Sequence, residues 1–270
     1  MKISVIVPTY KPQSYIWTCL ESLCHQTFPQ EEFEVIIVLN GCKEPYDKDI
    51  RNFIQEHNEV QWVYIQTDHG GVSNARNIAL DRARGEYVSF IDDDDFVSPE
   101  YLKELYENAD GETVSISYPF GFNDGDPATQ IKYDFTEIFN RYSSKKKYTS
   151  SKVRKFFSGP CMKLINMSFI QDRRFDVRFK NGEDSIFMFL ISDEIKYCSF
   201  TSPKAIYYRR FRENSAISSQ KSKKYILSNC WMRFKVYSHI YFSNPFRYSL
   251  RRYMLALLGI IHILIKYLLE

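Results

Sequence analysis

Glycine and proline are scarce in this 270-residue chain, ten of each, which excludes collagenous and low-complexity architectures. The six cysteines (Cys19, Cys24, Cys42, Cys161, Cys198, Cys230) include no CxxC and no paired spacing. That argues against a disulfide scaffold and a CxxC-type zinc module, and for reduced thiols in a cytosolic chain. The five histidines (His25, His57, His69, His239, His262) show no metal-ligand spacing either. No secretory h-region is expected, because the apolar start MKISVIVPTY is broken at Pro8 and reads as a strand. Acidic residues are missing altogether between positions 214 and 269, where nine Lys and Arg accumulate. The remaining 27 basic residues face 33 acidic ones, so a net charge of +3 conceals an acidic body and a basic tail. With 44% hydrophobic and 26% charged residues the chain is globular, one large domain or one domain with an appendage.

What is present alternates. Ile3 to Val7, Glu34 to Leu39, Val60 to Gln66 and Tyr87 to Ile91 are apolar, β-branched runs. Between them lie helical patterns at Tyr15 to Cys24, Asp47 to His57 and from Gly70-Gly71 through Leu80 to Arg84, with Gly85 as a helix cap. Strands separated by helices imply βαβ units and a largely parallel sheet. Residues 120 to 158 read as a long loop; a helix at Asp184 to Ser192 and strands at Ile195 to Phe200 and Ala205 to Arg210 follow. In such sheets ligands bind beyond the carboxyl ends of the strands. Four loops qualify: Pro8-Thr9-Tyr10, Asn40-Gly41-Cys42, Asp68-His69-Gly70 and Asp92 to Asp95.

Four adjacent aspartates at a strand end repel one another unless a cation stands among them. Hard oxygen ligands suit Mg²⁺ or Mn²⁺, which bridge phosphate oxygens.

The ordered set Ser4 to Tyr10, Gln26-Thr27-Phe28, Gly71 to Asn77, Gly85-Glu86-Tyr87, Asp92 to Asp95, Gly182-Glu183-Asp184 and Tyr208-Arg209 resembles the family 2 glycosyltransferases. The resemblance implies the GT-A fold, a Rossmann-like, doubly wound mixed α/β sheet. It implies a catalytic domain over residues 1–215, with a nucleotide-binding half to about 110 and an acceptor half beyond; the resemblance covers the tail poorly, and its charge and aromatic content are what mark 216–270 as a helical, basic-aromatic appendage. It further implies metal-dependent, inverting transfer of a sugar from a nucleotide diphosphate, a UDP-sugar by preference, to a hydroxyl acceptor in polysaccharide or glycolipid synthesis. Asp92-Asp93-Asp94 stands where the family's DxD motif sits. Asp94, with Asp92, would hold Mg²⁺ or Mn²⁺, and Asp92 and Asp93 would face ribose and nucleotide. Pro8, Thr9, Tyr10, Asn40, Asp68 and Arg76 would complete the donor site, Tyr10 by stacking on the base. The family usually has two aspartates after its second strand; Leu39 and Asn40 replace them, and an Asn side chain can still pair with a pyrimidine. Asp184 would be the base that deprotonates the acceptor, with Glu183 beside it. Ser158 to Lys163 would form an acceptor-side loop, and Arg209 and Arg212 could close over the diphosphate.

Two rivals lose ground on the same residues. A sugar-phosphate nucleotidyltransferase needs a glycine-rich turn for triphosphate, and Pro8-Thr9-Tyr10-Lys11-Pro12 has none. A nucleic-acid binder using the basic tail would meet an acidic body, so no nucleic-acid partner is expected. The tail itself holds Tyr253 to Leu269, apolar nearly all round, with Arg247, Arg251, Arg252 and Lys221 to Lys235 beside it. It is expected to dock on an anionic membrane surface at the inner face of the cell membrane, near a saccharide or lipid-linked saccharide acceptor. Packing against the body or against a second copy of the chain is the competing use.

Overall fold

The computed structural model describes residues 1–142, 146–212 and 222–269. The anticipated boundary at 215, and Glu213, Asn214, Ser215 and Lys221, lie outside the described residues.

The first half follows the sequence pattern. Strands β1 (Ile3–Thr9), β2 (Phe33–Asn40), β3 (Gln61–Thr67) and β4 (Tyr87–Phe90) alternate with helices α1 (Tyr15–Cys24), α2 (Tyr46–Glu56) and α3 (Val72–Leu80). The four strands pair in parallel in the order β3-β2-β1-β4. Every residue of β1 and β2 is buried, as expected of a parallel sheet covered on both faces. The period-two geometry splits their side chains. Ile3, Val5 and Val7 join α1 through Ile16, Leu20 and Leu23, whereas Ile6, Ile36 and Val38 meet Ala75 and Ala79 of α3. Each such aliphatic side chain contributes about 1.5–3 kcal/mol on burial.

The sheet then turns mixed. After a two-residue strand β5 (Phe96–Val97) and helix α4 (Tyr101–Glu107) come β6 (Thr113–Ile116) and β7 (Tyr118–Asn123). The stretch expected to be a long loop instead carries part of β7, helix α5 (Asp134–Phe139) and strand β8 (Tyr148–Thr149). Aromatic packing organises it: Phe139, Tyr142, Tyr148 and Phe156 all contact Phe200. Strand β9 (Lys163–Asn166) runs antiparallel between β4 and β6 and joins the halves. With β10 (Tyr197–Phe200) the sheet reads β3-β2-β1-β4-β9-β6-β10-β8. A smaller sheet, β5-β11-β7, uses β11 (Ile206–Phe211) to cross above the end of β4.

Short helix α6 (Met167–Ile170) and helix α7 (Glu183–Leu190) precede the tail, which folds as a hairpin of α8 (Lys223–Ser243) and α9 (Leu250–Leu269). This hairpin packs on α7 in a third apolar cluster that contains Ile186, Phe189, Ile226, Tyr237, Tyr248 and Ile260. Phe189 meets the Tyr237 ring edge-on at 5.1 Å and stacks on Tyr248 at 5.7 Å. The packing alternative for the tail is therefore realised over part of its surface. No helix among the described residues is long and apolar enough to cross a membrane.

Helix α3 stops at Leu80, short of the anticipated Arg84. Gly85 is thus no helix cap but a point of close backbone approach. A Cβ there would lie 2.5 Å from the Ser4 nitrogen and 2.7 Å from the Ile3 carbonyl carbon. The Gly85 N–H donates to Ser4 Oγ (2.8 Å), and Ser4 donates to the fully buried Glu34 (2.7 Å), which also pairs with Arg84. Gly85→Ala should cost about 1–3 kcal/mol, the usual penalty for overpacking. It should lower the urea midpoint with an unchanged m-value; an unaltered midpoint would show that the strand can move aside.

Candidate active site

The carboxyl ends of β1 and β4, the start of α7 and the end of β11 converge. Asp92 to Asp95 leave β4 in a tight turn closed by Asp95 N–H to Asp92 C=O at 3.0 Å. Each carboxylate acquires a different partner. Asp95 is buried and accepts from the Tyr207 hydroxyl (2.8 Å) and the Arg210 backbone N–H (2.8 Å), which fixes the turn to β11. Asp94 pairs with Arg212 at 2.5 Å, and its backbone carbonyl accepts from Arg210 Nε at 2.8 Å. Asp93 accepts from Thr9 Oγ1 at 2.5 Å. Asp92 pairs with Arg76 at 2.8 Å.

Arg76 lies on α3 and is only 2% exposed. Its other terminal nitrogen reaches Asp184 at 2.6 Å, so one guanidinium joins residues 92 and 184 across the cleft. Its carbon sits 5.3 Å from the centre of the Phe175 ring. Burial alone would lower the Arg76 pKa, but Asp184 and Asp92 outweigh it and keep the group charged.

Gly182, in a left-handed conformation, opens α7 and places Glu183 and Asp184 in its first turn, where carboxylates favour the helix dipole. Burial raises the Asp184 pKa, with Arg76 opposing; burial and neighbouring Asp184 raise that of Glu183. Glu183 Oε2 is buried without a hydrogen-bond partner in the described structure. Below Asp184 the buried Lys163 donates to the Gly159 and Cys161 carbonyls, both at 2.6 Å. Burial lowers Lys163 to about 8, partly offset by Cys161 and Asp184.

With this geometry in view, the kinship is specific. The sequence profile described as Glycosyl transferase family 2 matches residues 4–174. The chain belongs to glycosyl transferase family 2. It is 31% identical over 224 residues to the poly(ribitol-phosphate) beta-N-acetylglucosaminyltransferase TarS of Staphylococcus aureus, an alignment covering 81% of this chain and 37% of TarS. It is 28% identical to the minor teichoic acid biosynthesis protein GgaB of Bacillus subtilis, over 82% of this chain and 24% of GgaB. The chain thus spans well under half the length of these curated relatives. The crystal structure of TarS 1-349 with UDP-GlcNAc superposes with a TM-score of 0.74 at 26% identity, covering 99% of this chain and 72% of that one. The fold is GT-A, as the sequence resemblance implied.

Most of the anticipated site residues of this family 2 chain come together. Asn40 is buried; its amide donates to the Thr9 carbonyl (2.7 Å) and its oxygen accepts from the Gly71 N–H (2.8 Å). These two bonds brace the Thr9 and Gly71 loops against each other. Asp68 lies at the exposed rim, accepting from Gln66 at 2.8 Å. Asp92 pairs with Arg76 as Asp94 pairs with Arg212, so each carboxylate anticipated at the cation site has a guanidinium beside it. Tyr10 remains 53% exposed, its ring set against Gly41, where the left-handed backbone and a 2.9 Å approach to Gly70 leave no room for a side chain. Pro8 is the buried last-but-one residue of β1. Tyr207, Phe175 and Arg210 were not singled out as site residues; each acts through tertiary contacts that local patterns do not encode.

Asp94 is paired with Arg212, so a divalent cation held there would take the guanidinium's place beside the carboxylate. Burial and the neighbouring carboxylates raise Asp93 to about 7, and burial with Asp92 raises Asp94. No three carboxylates of this cluster among the described residues bring ligand oxygens within 4.8 Å of one another. An ion there would be held by Asp94 and complete its shell with diphosphate oxygens and water, in the manner of Mg²⁺.

The Asp93 shift has a definite sign. An unfolded aspartate ionises near 3.8 and the folded one near 7. Its contribution to stability is complete below about pH 4 and is lost as pH rises through 7. Asp93→Asn should therefore raise the melting temperature relative to the parent at pH 8 and by clearly less at pH 5. An equal effect at both values would show that the carboxyl titrates normally.

Proposed function

We propose that this chain transfers a sugar from a nucleoside diphosphate, UDP by preference, to a hydroxyl of a polyol-phosphate or saccharide acceptor, with inversion at the anomeric carbon. The carrying observation is the Arg76 bridge, which sets the β4 carboxylates and Asp184 on facing walls of one cleft. Asp184 is the base. A carboxylate raised above its ordinary value by burial is better matched to an alcohol proton near neutral pH. It takes the acceptor proton as the oxygen bonds to the anomeric carbon. The bond to the diphosphate breaks from the opposite side, and the electron pair leaves with the nucleoside diphosphate. Arg76 keeps Asp184 oriented, and Glu183, lacking a partner, completes the acceptor wall. Tyr10 offers an exposed aromatic face for the base beside Gly41 and Gly70. Mg²⁺ or Mn²⁺ at Asp94 would supply positive charge for the leaving diphosphate. The teichoic-acid chemistry in the names of TarS and GgaB, and UDP-GlcNAc bound to TarS, support the donor and acceptor classes.

A panel of nucleotide sugars, scored for transfer and for thermal stabilisation with Mn²⁺, tests this. Asp184→Asn should retain donor stabilisation and lose about 10²–10⁴ in turnover. Asp94→Ala should lose the Mn²⁺-dependent stabilisation with an intact fold. Normal turnover in Asp184→Asn, or full transfer in EDTA, would overturn the assignment.

The hairpin tail is read as a surface that seats the enzyme on anionic lipid. Trp231, Phe234, Phe242, Phe246, Leu258 and Ile265 are exposed on it, and an open apolar groove of about 410 Å³ runs between α8 and α9. Three of its cations are consumed by the body: Arg233 contacts Ser185, Arg247 pairs with Asp193 and Glu194, and Arg252 binds the Ser192 carbonyl. Lys223, Lys224, Lys235, Arg251 and Lys266 remain exposed, each worth about 1 kcal/mol near an anionic surface. The chain should float with phosphatidylglycerol vesicles, less so in high salt or as Phe242→Ser/Phe246→Ser, and not with phosphatidylcholine alone. No flotation, with concentration-dependent dimerisation in the ultracentrifuge, would give the apolar face to a second copy instead.

A further inference from the structure

The sheet edge opposite the aspartate cluster carries a second set of metal-ligating groups. Helices α1 and α2 each leave the carboxyl end of a strand and run back to the other edge, so their C-termini meet there. Cys24 is the last residue of α1, His57 caps α2, and Glu59 lies in the turn into β3. One ligand atom from each lies within 4.8 Å of the other two.

The distances suit an ion better than hydrogen bonding. His57 Nδ1 is 3.6 Å from Glu59 Oε1, too long for a hydrogen bond. Two ligands on a tetrahedral zinc with bonds of ~2.0–2.1 Å stand about 3.4 Å apart. The other ring nitrogen, Nε2, faces Glu21 Oε1 at 3.5 Å. A closure of a few tenths of an ångström would make Glu21 the carboxylate that usually stands behind a ligating imidazole and fixes its tautomer. The ring is already held: it packs on Phe53 at 4.3 Å between centroids, and the His57 carbonyl accepts from Trp62 Nε1 at 2.7 Å. Burial, then Glu59 and Glu21, push the Cys24 thiol up to about 12; a bound divalent cation reverses that balance, because it favours the thiolate.

Thiolate, imidazole and carboxylate together select zinc over Mg²⁺ or Mn²⁺. We propose that Cys24, His57 and Glu59 bind one zinc ion, with Glu21 supporting His57 and the fourth position open to water. The site ties the ends of α1 and α2 to the start of β3, remote from group transfer, and is independent of the proposed activity.

Cobalt titration of the chelator-stripped full chain is the test. One equivalent of Co²⁺ should give a near-ultraviolet thiolate charge-transfer band and tetrahedral visible bands, all displaced by zinc. Cys24→Ser should abolish the charge-transfer band. Glu21→Gln should keep the band and weaken binding roughly 10–100-fold. Glu59→Gln, at an exposed side chain, should weaken binding with an unchanged circular dichroism spectrum. Asp94→Ala should leave the whole titration unaltered. No charge-transfer band in the parent chain, its persistence in Cys24→Ser, or its loss in Asp94→Ala would overturn the site.

Discussion

The Arg76 guanidinium is the constraint on which the site depends. It is buried, charged, and shared between Asp92 and Asp184. Without it two carboxylates from opposite walls would face each other across a desolvated cleft, and breaking a buried pair of this kind typically costs about 3–5 kcal/mol. The bridge thereby ties α3 to the turn after β4 and to the start of α7. The remaining contacts, Thr9 to Asp93, Arg212 to Asp94 and Tyr207 to Asp95, then assign one partner to each carboxylate of the β4 turn. Four adjacent aspartates are tolerated because each points into a different environment.

The nucleotide-binding half was legible because its strands are long and bounded by local signals. EVIIVL closed by Asn40-Gly41, and Tyr87 to Ile91 running into four aspartates, carry their own ends in the sequence. The second half was harder. Strands β6 and β9 have four residues each, too few for a period to emerge, and they find each other through an antiparallel pairing of residues almost fifty positions apart. The second part of strand β7 reads as loop because Gly and Asp clusters begin there, yet pairing with β11 makes it a strand.

Side-chain duties divide in the same way. The types and order of Asp92, Asp94, Asp184 and Arg76 pointed to one cleft, and the fold brings them there. Asn40 shows where residue type was insufficient. Its amide can serve a pyrimidine or a backbone equally well, and only the approach of the Thr9 and Gly71 loops decides between them. Gly85 is similar: a glycine after a helix suggests a cap, but what requires glycine is Ser4 across the sheet, whose nitrogen would lie 2.5 Å from any Cβ.

The tail shows how an apolar helix can serve two surfaces at once. Helix α9 carries hydrophobic residues nearly all round, more than a single packed face requires. Tyr253 and Ile260 are buried against α8 and α7, whereas Met254, Leu258, Ile261 and Ile265 are exposed. The polar groups divide likewise. Arg252 turns inward to the Ser192 carbonyl, and Arg251, its neighbour in sequence, turns outward. Ser185 of α7 accepts from both Arg233 and Tyr237 of α8, one residue from Asp184. Gly182, which opens α7, lies so close to Arg233 that a Cβ would approach its guanidinium carbon to 2.9 Å. Anything that shifts the hairpin on its outer face therefore bears directly on the first turn of α7, where Asp184 resides.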